Sequence, residues 1–205
     1  MLALDELNRQ IELCRECDIA AGRTRVVPGE GAADADIMFI GEAPGYHEDQ
    51  HGRPFVGAAG KFLDELLAAI GLDRTKVYIA NIVKCRPPSN RDPQPGEIAN
   101  CRKWLESQIE NIRPRMIVTL GRFSMARYFP GKTISKIHGT WEKRDGIVYF
   151  AMYHPAAALH QQGLRGQLIE DIKKIPDILA ALDIETAAQK EPSEPQPQQM
   201  SLFGD

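Results

Sequence analysis

No apolar run in this 205-residue sequence approaches the ~18 residues needed to cross a membrane as a helix. The N-terminus also lacks the charged-then-apolar pattern of a secretory signal. A soluble, cytoplasmic protein is expected. Net charge is small, −3, and unevenly placed. From Ile184 onward Glu185, Glu191, Glu194 and Asp205 stand against Lys190, which leaves residues 1–183 neutral. With no bulk cationic excess, any nucleic-acid site must be a local patch. Cysteine is scarce, four in all. In a reducing compartment these read as metal ligands rather than as two disulfides. No internal repeat is present.

What the sequence does contain is strand followed by helix, repeated. Ala35 and Ile37–Ile40 read as a buried strand, and Phe62, Leu63, Leu66, Leu67 and Ile70 as the apolar face of a helix starting near Ala58. Further strands are expected at Val77–Val83, Met116–Leu120 and Ile147–Met152, and helices at Glu97–Asn111 and through Met125 and Tyr128. The last helix carries Leu168 to Leu182, with a kink expected at Pro176. An N-terminal helix presents Leu4, Leu7, Ile11 and Cys14 on one face. This alternation implies an α/β fold, a parallel sheet with helices on both faces. Residues 1–183 form the domain. Beyond them a Glu/Pro/Gln-rich tail, 184–205, cannot bury enough surface to fold.

Two loops stand out. The connection from Gly41 to Gly57 far exceeds the ~2–6 residues of an ordinary connector. The second, Arg86–Gly96, is stiffened by four prolines. Both follow strand carboxyl ends, where open α/β sheets bind ligands. Glu42, Asn81, Gly121 and His154 all fall at or just past such ends, so they should gather on one rim. Asn81 offers an acceptor and a donor, the equipment for one edge of a nucleobase, although such a residue is more often a cap. Phe55 sits in a Pro/Gly-framed loop with little core to join, and a planar ligand stacking on it would explain it. Pro155 restrains the backbone of His154 and so fixes where its imidazole points. Glu42 either orients a water or caps the loop.

Cys14 and Cys17 close the first helix, while Cys85 and Cys101 flank the proline loop. A shared site would tie the two regions together. Four thiolates without a neighbouring histidine suit Zn2+ or a [4Fe–4S] cluster. The wide second spacing leans toward iron–sulfur, in a structural role away from the rim.

The wording of the motifs is more specific than any single residue. GEAPG, GRPFVG, the Asn81 to Pro93 stretch with its RPP and NRDP, and HPAAAL resemble the family 4 uracil-DNA glycosylases, the iron–sulfur branch of that superfamily. The resemblance runs from Cys14 to about Leu182. It implies a three-layer α/β/α fold with a central four-stranded parallel sheet, and a [4Fe–4S] cluster on Cys14, Cys17, Cys85 and Cys101. It implies that Phe55 stacks on a flipped uracil, Asn81 reads its N3–H and O4, and His154 bonds O2. Glu42 and the backbone near Ala43 would place the water. Glu42 and His154 are thus the implied catalytic residues, and a monomer acting on single- or double-stranded uracil-containing DNA is expected. Tyr46 and Glu48 are the candidates for excluding thymine. Tyr46-His47 and His160 depart from the family's usual residues. A non-catalytic iron–sulfur DNA-binding module on the same fold is the alternative, and a small electron carrier a third reading. Gln199, Met200, Ser201, Leu202 and Phe203 resemble the pentapeptide by which bacterial repair enzymes bind the sliding clamp, which would make the host bacterial.

Overall fold

The computed structural model describes residues 3–190. In chain order the elements are α1 (Leu4–Leu13), α2 (Ile19–Gly22), β1 (Glu30–Gly31), β2 (Ile37–Gly41), α3 (Tyr46–His51) and α4 (Ala58–Ala68). There follow β3 (Tyr78–Asn81), a 3-10 turn at Pro88–Asn90, α5 (Pro95–Ile112), β4 (Met116–Leu120), α6 (Arg122–Tyr128) and α7 (Ile134–Ile137). The chain continues through β5 (Trp141–Arg144), β6 (Ile147–Met152), α8 (Pro155–His160), α9 (Gly163–Ile172) and α10 (Ile175–Lys190).

The strands form one sheet in the order β1-β3-β2-β4-β6-β5. The inner four are parallel, as expected. Two antiparallel edge strands, β1 and β5, extend the sheet to six. Alternate residues of each inner strand feed two cores, as the period-2 geometry of a strand dictates. Met38, Ile40, Ala80 and Ile117 face one side, packed with Leu7, Ile11 and Leu105 of α1 and α5. Ile37, Phe39, Ile79 and Val118 face the other, with Leu63, Leu66, Leu168 and Ile172 of α4 and α9. A sheet buried on both faces explains why β2, β3 and β4 are apolar almost throughout.

Three expectations change in detail. The long first loop contains a helix, α3. The last helix is two helices, parted at Lys173–Lys174. Pro176 sits in the first turn of α10, where its missing N–H costs nothing, so it starts a helix instead of kinking one. And α10 runs to Lys190, past residue 183. The clamp-like pentapeptide Gln199–Phe203, with everything beyond Lys190, lies outside the described residues. No helix among them is long and apolar enough to cross a membrane.

The direction of the chain reverses between β2 and β4. From β2 it moves outward to β3, then returns to the other side for β4. Helices leave opposite faces at such a point, and a crevice opens beyond the strand carboxyl ends.

Candidate active site

A cavity of about 330 Å³ occupies that crevice. It lies at the small end of the ~300–1,000 Å³ range of ligand pockets, the scale of one small ring system. Glu42, Ala43, Phe55, Asn81 and His154 all line it, so the residues drawn from four separate motifs do meet.

Asn81 ends β3 beside Gly41 of β2. Its side chain is 2% exposed, yet its Oδ1 has no hydrogen-bond partner. A buried, unpaired acceptor costs about 1–3 kcal/mol, so such an atom asks for a donor. Gly41 permits the geometry. A Cβ there would stand 2.4 Å from Asn81 Oδ1 and 2.7 Å from the Phe55 ring. Beneath Asn81, the fully buried Lys84 donates from Nζ to the Asn81 carbonyl at 3.0 Å and to Gln108 Oε1 at 2.6 Å. Gln108 in turn donates to Asn8 Oδ1, Pro28 O and Tyr78 Oη. Burial pulls the Lys84 ammonium down to about 8.

His154 caps α8, its Nδ1 accepting the Ala156 N–H at 3.1 Å. That bond puts the ring proton of the neutral form on Nε2. Burial lowers the imidazole's pKa to about 4, with the Glu48 charge opposing. His154 is therefore a neutral, oriented N–H donor at physiological pH.

Phe55 is 5% exposed and belongs to the core cluster, whereas its loop setting predicts little core for its ring to join. Its backbone is left-handed, φ 53°, a strained choice for an aromatic residue of the kind that clusters at binding sites. Arg74 holds it there, donating to the Pro54 carbonyl at 2.8 Å and to the Phe55 carbonyl. Glu30 and Asp64 fix Arg74 in turn.

Glu48 lines the cavity, but its oxygens are occupied. Oε2 accepts the Gly45 N–H at 3.1 Å, while Oε1 accepts the N–H groups of Val56 and Gly57 at 2.9 and 3.0 Å. One carboxylate thus ties the start of the long loop to its end. Asp49, almost fully buried, accepts the Thr24 N–H at 2.9 Å and anchors α3 to the preceding segment. Tyr46 is 54% exposed, lies under the Arg86 guanidinium and does not line the cavity. His160 is exposed at the end of α8.

Glu42 is half-buried. Burial first, and then the Asp92 charge, push its carboxyl up to about 7, with Arg122 opposing. Arg91 also reaches the cavity, gripped by Glu97 at 2.6 and 2.9 Å.

The four cysteines are free thiols and line a second, small cavity between α1, α5 and the loop after β3. Nitrogen donors already address three sulfurs: Arg23 Nη1 on Cys85 at 3.0 Å, Trp104 Nε1 on Cys14 at 3.3 Å, and the Lys84 N–H on Cys101 at 3.3 Å. Burial pushes the Cys101 thiol up to about 11, and raises Cys17 and Cys85 as well. Among the described residues, no group of three or more His, Cys, Asp or Glu side chains is arranged to hold a metal ion.

Arg74 and Lys84, which hold the backbone of Phe55 and Asn81, are the supporting positions the sequence did not flag. Arg74 lies in a turn remote from every motif, and Lys84 reads as an ordinary charge between Asn81 and Cys85.

Comparison with known proteins spans the residues that line the first cavity. The family model described as the uracil DNA glycosylase superfamily matches residues 28–175. An Archaeoglobus fulgidus protein named type-4 uracil-DNA glycosylase is 47% identical over 189 residues, 87% of this chain and 94% of its own. A Thermotoga maritima protein of the same name is 42% identical over 178 residues, 83% and 92% of the two chains. A Pyrobaculum aerophilum protein named type-5 uracil-DNA glycosylase is 33% identical over 150 residues, 64% and 66% of the two.

Proposed function

Since the chain belongs to the uracil-DNA glycosylase superfamily, we propose that it hydrolyses the N-glycosidic bond of deoxyuridine in DNA, releasing uracil and leaving an abasic site. The observation that carries this reading is the pairing of opposite hydrogen-bonding needs in one small cavity. Asn81 Oδ1 is an acceptor without a donor, and His154 Nε2 a donor with a fixed direction. Uracil presents N3–H to the first and O2 to the second.

A base inside a duplex cannot reach this cavity, so it must be flipped out at a cost of a few kcal/mol. Phe55 supplies the stacking surface. Breaking N1–C1′ leaves negative charge on the base and positive character on the sugar. The His154 donor aimed at O2 stabilises that anion; comparable preorganised donors contribute roughly 2.7–4 kcal/mol. Position 43 is alanine, so no carboxylate stands there as base, and Glu42 is the nearest group able to orient a water. Bond breaking runs ahead of water attack, so His154→Ala should lower turnover far more than Glu42→Gln. The reverse ranking would overturn this order of events.

Cys14, Cys17, Cys85 and Cys101 suit a [4Fe–4S] cluster. Four thiols face one space, and N–H donors are already turned toward three of them. When bound, such a cluster supplies a structural crosslink. Loss of absorbance near 400 nm in Cys101→Ala, together with lowered thermal stability, would support this role. Full stability without the absorbance would exclude it.

The deciding assay incubates the full chain with a single-stranded uracil-containing oligonucleotide, then treats half with alkali. Strand scission only after alkali supports a monofunctional glycosylase. An intact strand after alkali leaves the non-catalytic module. For the terminal pentapeptide we propose clamp binding through a tether that raises local concentration at DNA. Removing residues 199–205 should abolish it and spare catalysis.

A further inference from the structure

One rim histidine plays no part in the chemistry above. β5 and β6 pair from Arg144–Ile147 to Trp141–Phe150. Beyond that the ladder bulges. The Gly139 N–H donates to Ala151 O at 2.7 Å, and the Ala151 N–H donates to Thr140 O at 3.0 Å, so two residues oppose one. Gly139 takes φ +69°, as the left-handed position of such a bulge demands, and a Cβ there would lie 2.0 Å from Asp171 Oδ1. Bulges re-aim side chains, and this one lays the His138 ring against Tyr153, centroids 4.7 Å apart. Tyr153 is the residue before His154. His138 therefore stands on the carboxyl rim of the sheet, against the residue that precedes the cavity-lining His154.

Its setting is built. His138 Nδ1 meets Asp171 Oδ2 at 2.7 Å, and Asp171 is 2% exposed. Lys174 Nζ bonds Asp171 Oδ1 at 3.0 Å and the Gly139 carbonyl at 3.1 Å, closing the bulge over the carboxylate. With Nδ1 so engaged, Nε2 is the only free ring atom, and it has no hydrogen-bond partner among the described residues. The His138 side chain is 26% exposed. A simple tie between loop and helix would require neither a rim position nor an open Nε2.

We propose that His138 is a DNA-backbone contact: oriented by Asp171, its Nε2–H hydrogen-bonds a phosphate oxygen beside the flipped nucleotide. The inference rests on the glycosylase reading, because that reaction brings a phosphate chain across this rim.

The test measures KM and single-turnover kcat on a single-stranded uracil oligonucleotide, with methylphosphonate placed at each phosphate in turn. For the wild type, one position near the uracil should raise KM about tenfold. His138→Ala should raise KM about tenfold on the unmodified strand and erase that positional penalty. Saturating kcat and inhibition by free uracil should stay within twofold. His138→Gln, which restores a neutral donor, should recover part of the KM and part of the positional penalty, and it decides the matter if the alanine variant is unstable. An unchanged methylphosphonate profile in the folded alanine variant, or a glutamine variant with the wild-type KM and full penalty where alanine does not fold, would overturn the proposal. An inactive wild type would instead overturn the glycosylase reading.

Discussion

The Phe55 ring lies stacked on the imidazole of His154, centroids 5.4 Å apart and planes 26° from parallel. One aromatic group thus serves two neighbours. It offers a face to a base, and it keeps water from the histidine that must stay neutral.

Replacing Phe55 with alanine should therefore do two things. Lost stacking of ~1–3 kcal/mol corresponds to a fall in kcat/KM of roughly 5- to 150-fold. Hydration of His154 should also move its pKa up from about 4 toward the usual 6.5. The acid limb of the pH–rate profile then shifts to higher pH. An unmoved limb with lowered kcat/KM would confine Phe55 to stacking.

The unpaired Oδ1 of Asn81 makes base choice testable. Asn81→Asp keeps an acceptor but loses the amide donor, so activity on uracil should fall and some activity on cytosine should appear. The ratio of the two rates on matched oligonucleotides is the readout. An unchanged ratio would remove Asn81 from base reading.

Glu42 gives a prediction in stability as well as rate. Its folded pKa of about 7 exceeds the unfolded value, so the native state holds more protons between the two. Burying the ionised carboxylate then costs stability progressively as pH rises from about 4.5 to 7. Glu42→Gln should raise Tm relative to wild type at pH 8, and the gain should vanish near pH 4.5. Its rate deficit should follow the same window, below tenfold at pH 8 and nil at acid pH.

Arg74 is the fourth test. Arg74→Met leaves the Pro54 and Phe55 carbonyls without their donor and Glu30 with one partner fewer. Each unpaired buried group costs ~1–3 kcal/mol. A lower Tm is expected, with kcat/KM falling because the strained Phe55 backbone relaxes. Arg74→Lys, able to reach only part of this fork, should fall between the two.

β4 and β6 were legible to the residue, because a strand buried on both faces reads as an unbroken apolar run bounded by glycine or proline. Asn81 and His154 were legible for a related reason: they end such runs. α3 was not. Its residues, Tyr46–His51, have no apolar period, and the helix stands because Glu48 and Asp49 bond backbone groups outside it. β5 is exposed at every position, so pairing with β6 rather than its own composition makes it a strand. The burial of Phe55 was illegible because Arg74 and the core beneath the loop enforce it, and both come from distant sequence.

The buried chain from Lys84 through Gln108 to Tyr78 and Asn8 has a consequence for how the molecule comes apart. It fastens the carbonyl of Asn81 to α1 through buried groups that end at the half-buried Asn8. Opening α1 removes one acceptor of the Gln108 amide and lets water in on the buried Lys84 and Gln108, so fraying of the N-terminus is coupled to loosening of β3 and the middle of α5. Amide protons in these three segments should exchange with a shared opening free energy, as one cooperative unit. A protease that captures the opened N-terminal helix therefore removes base recognition in the same event.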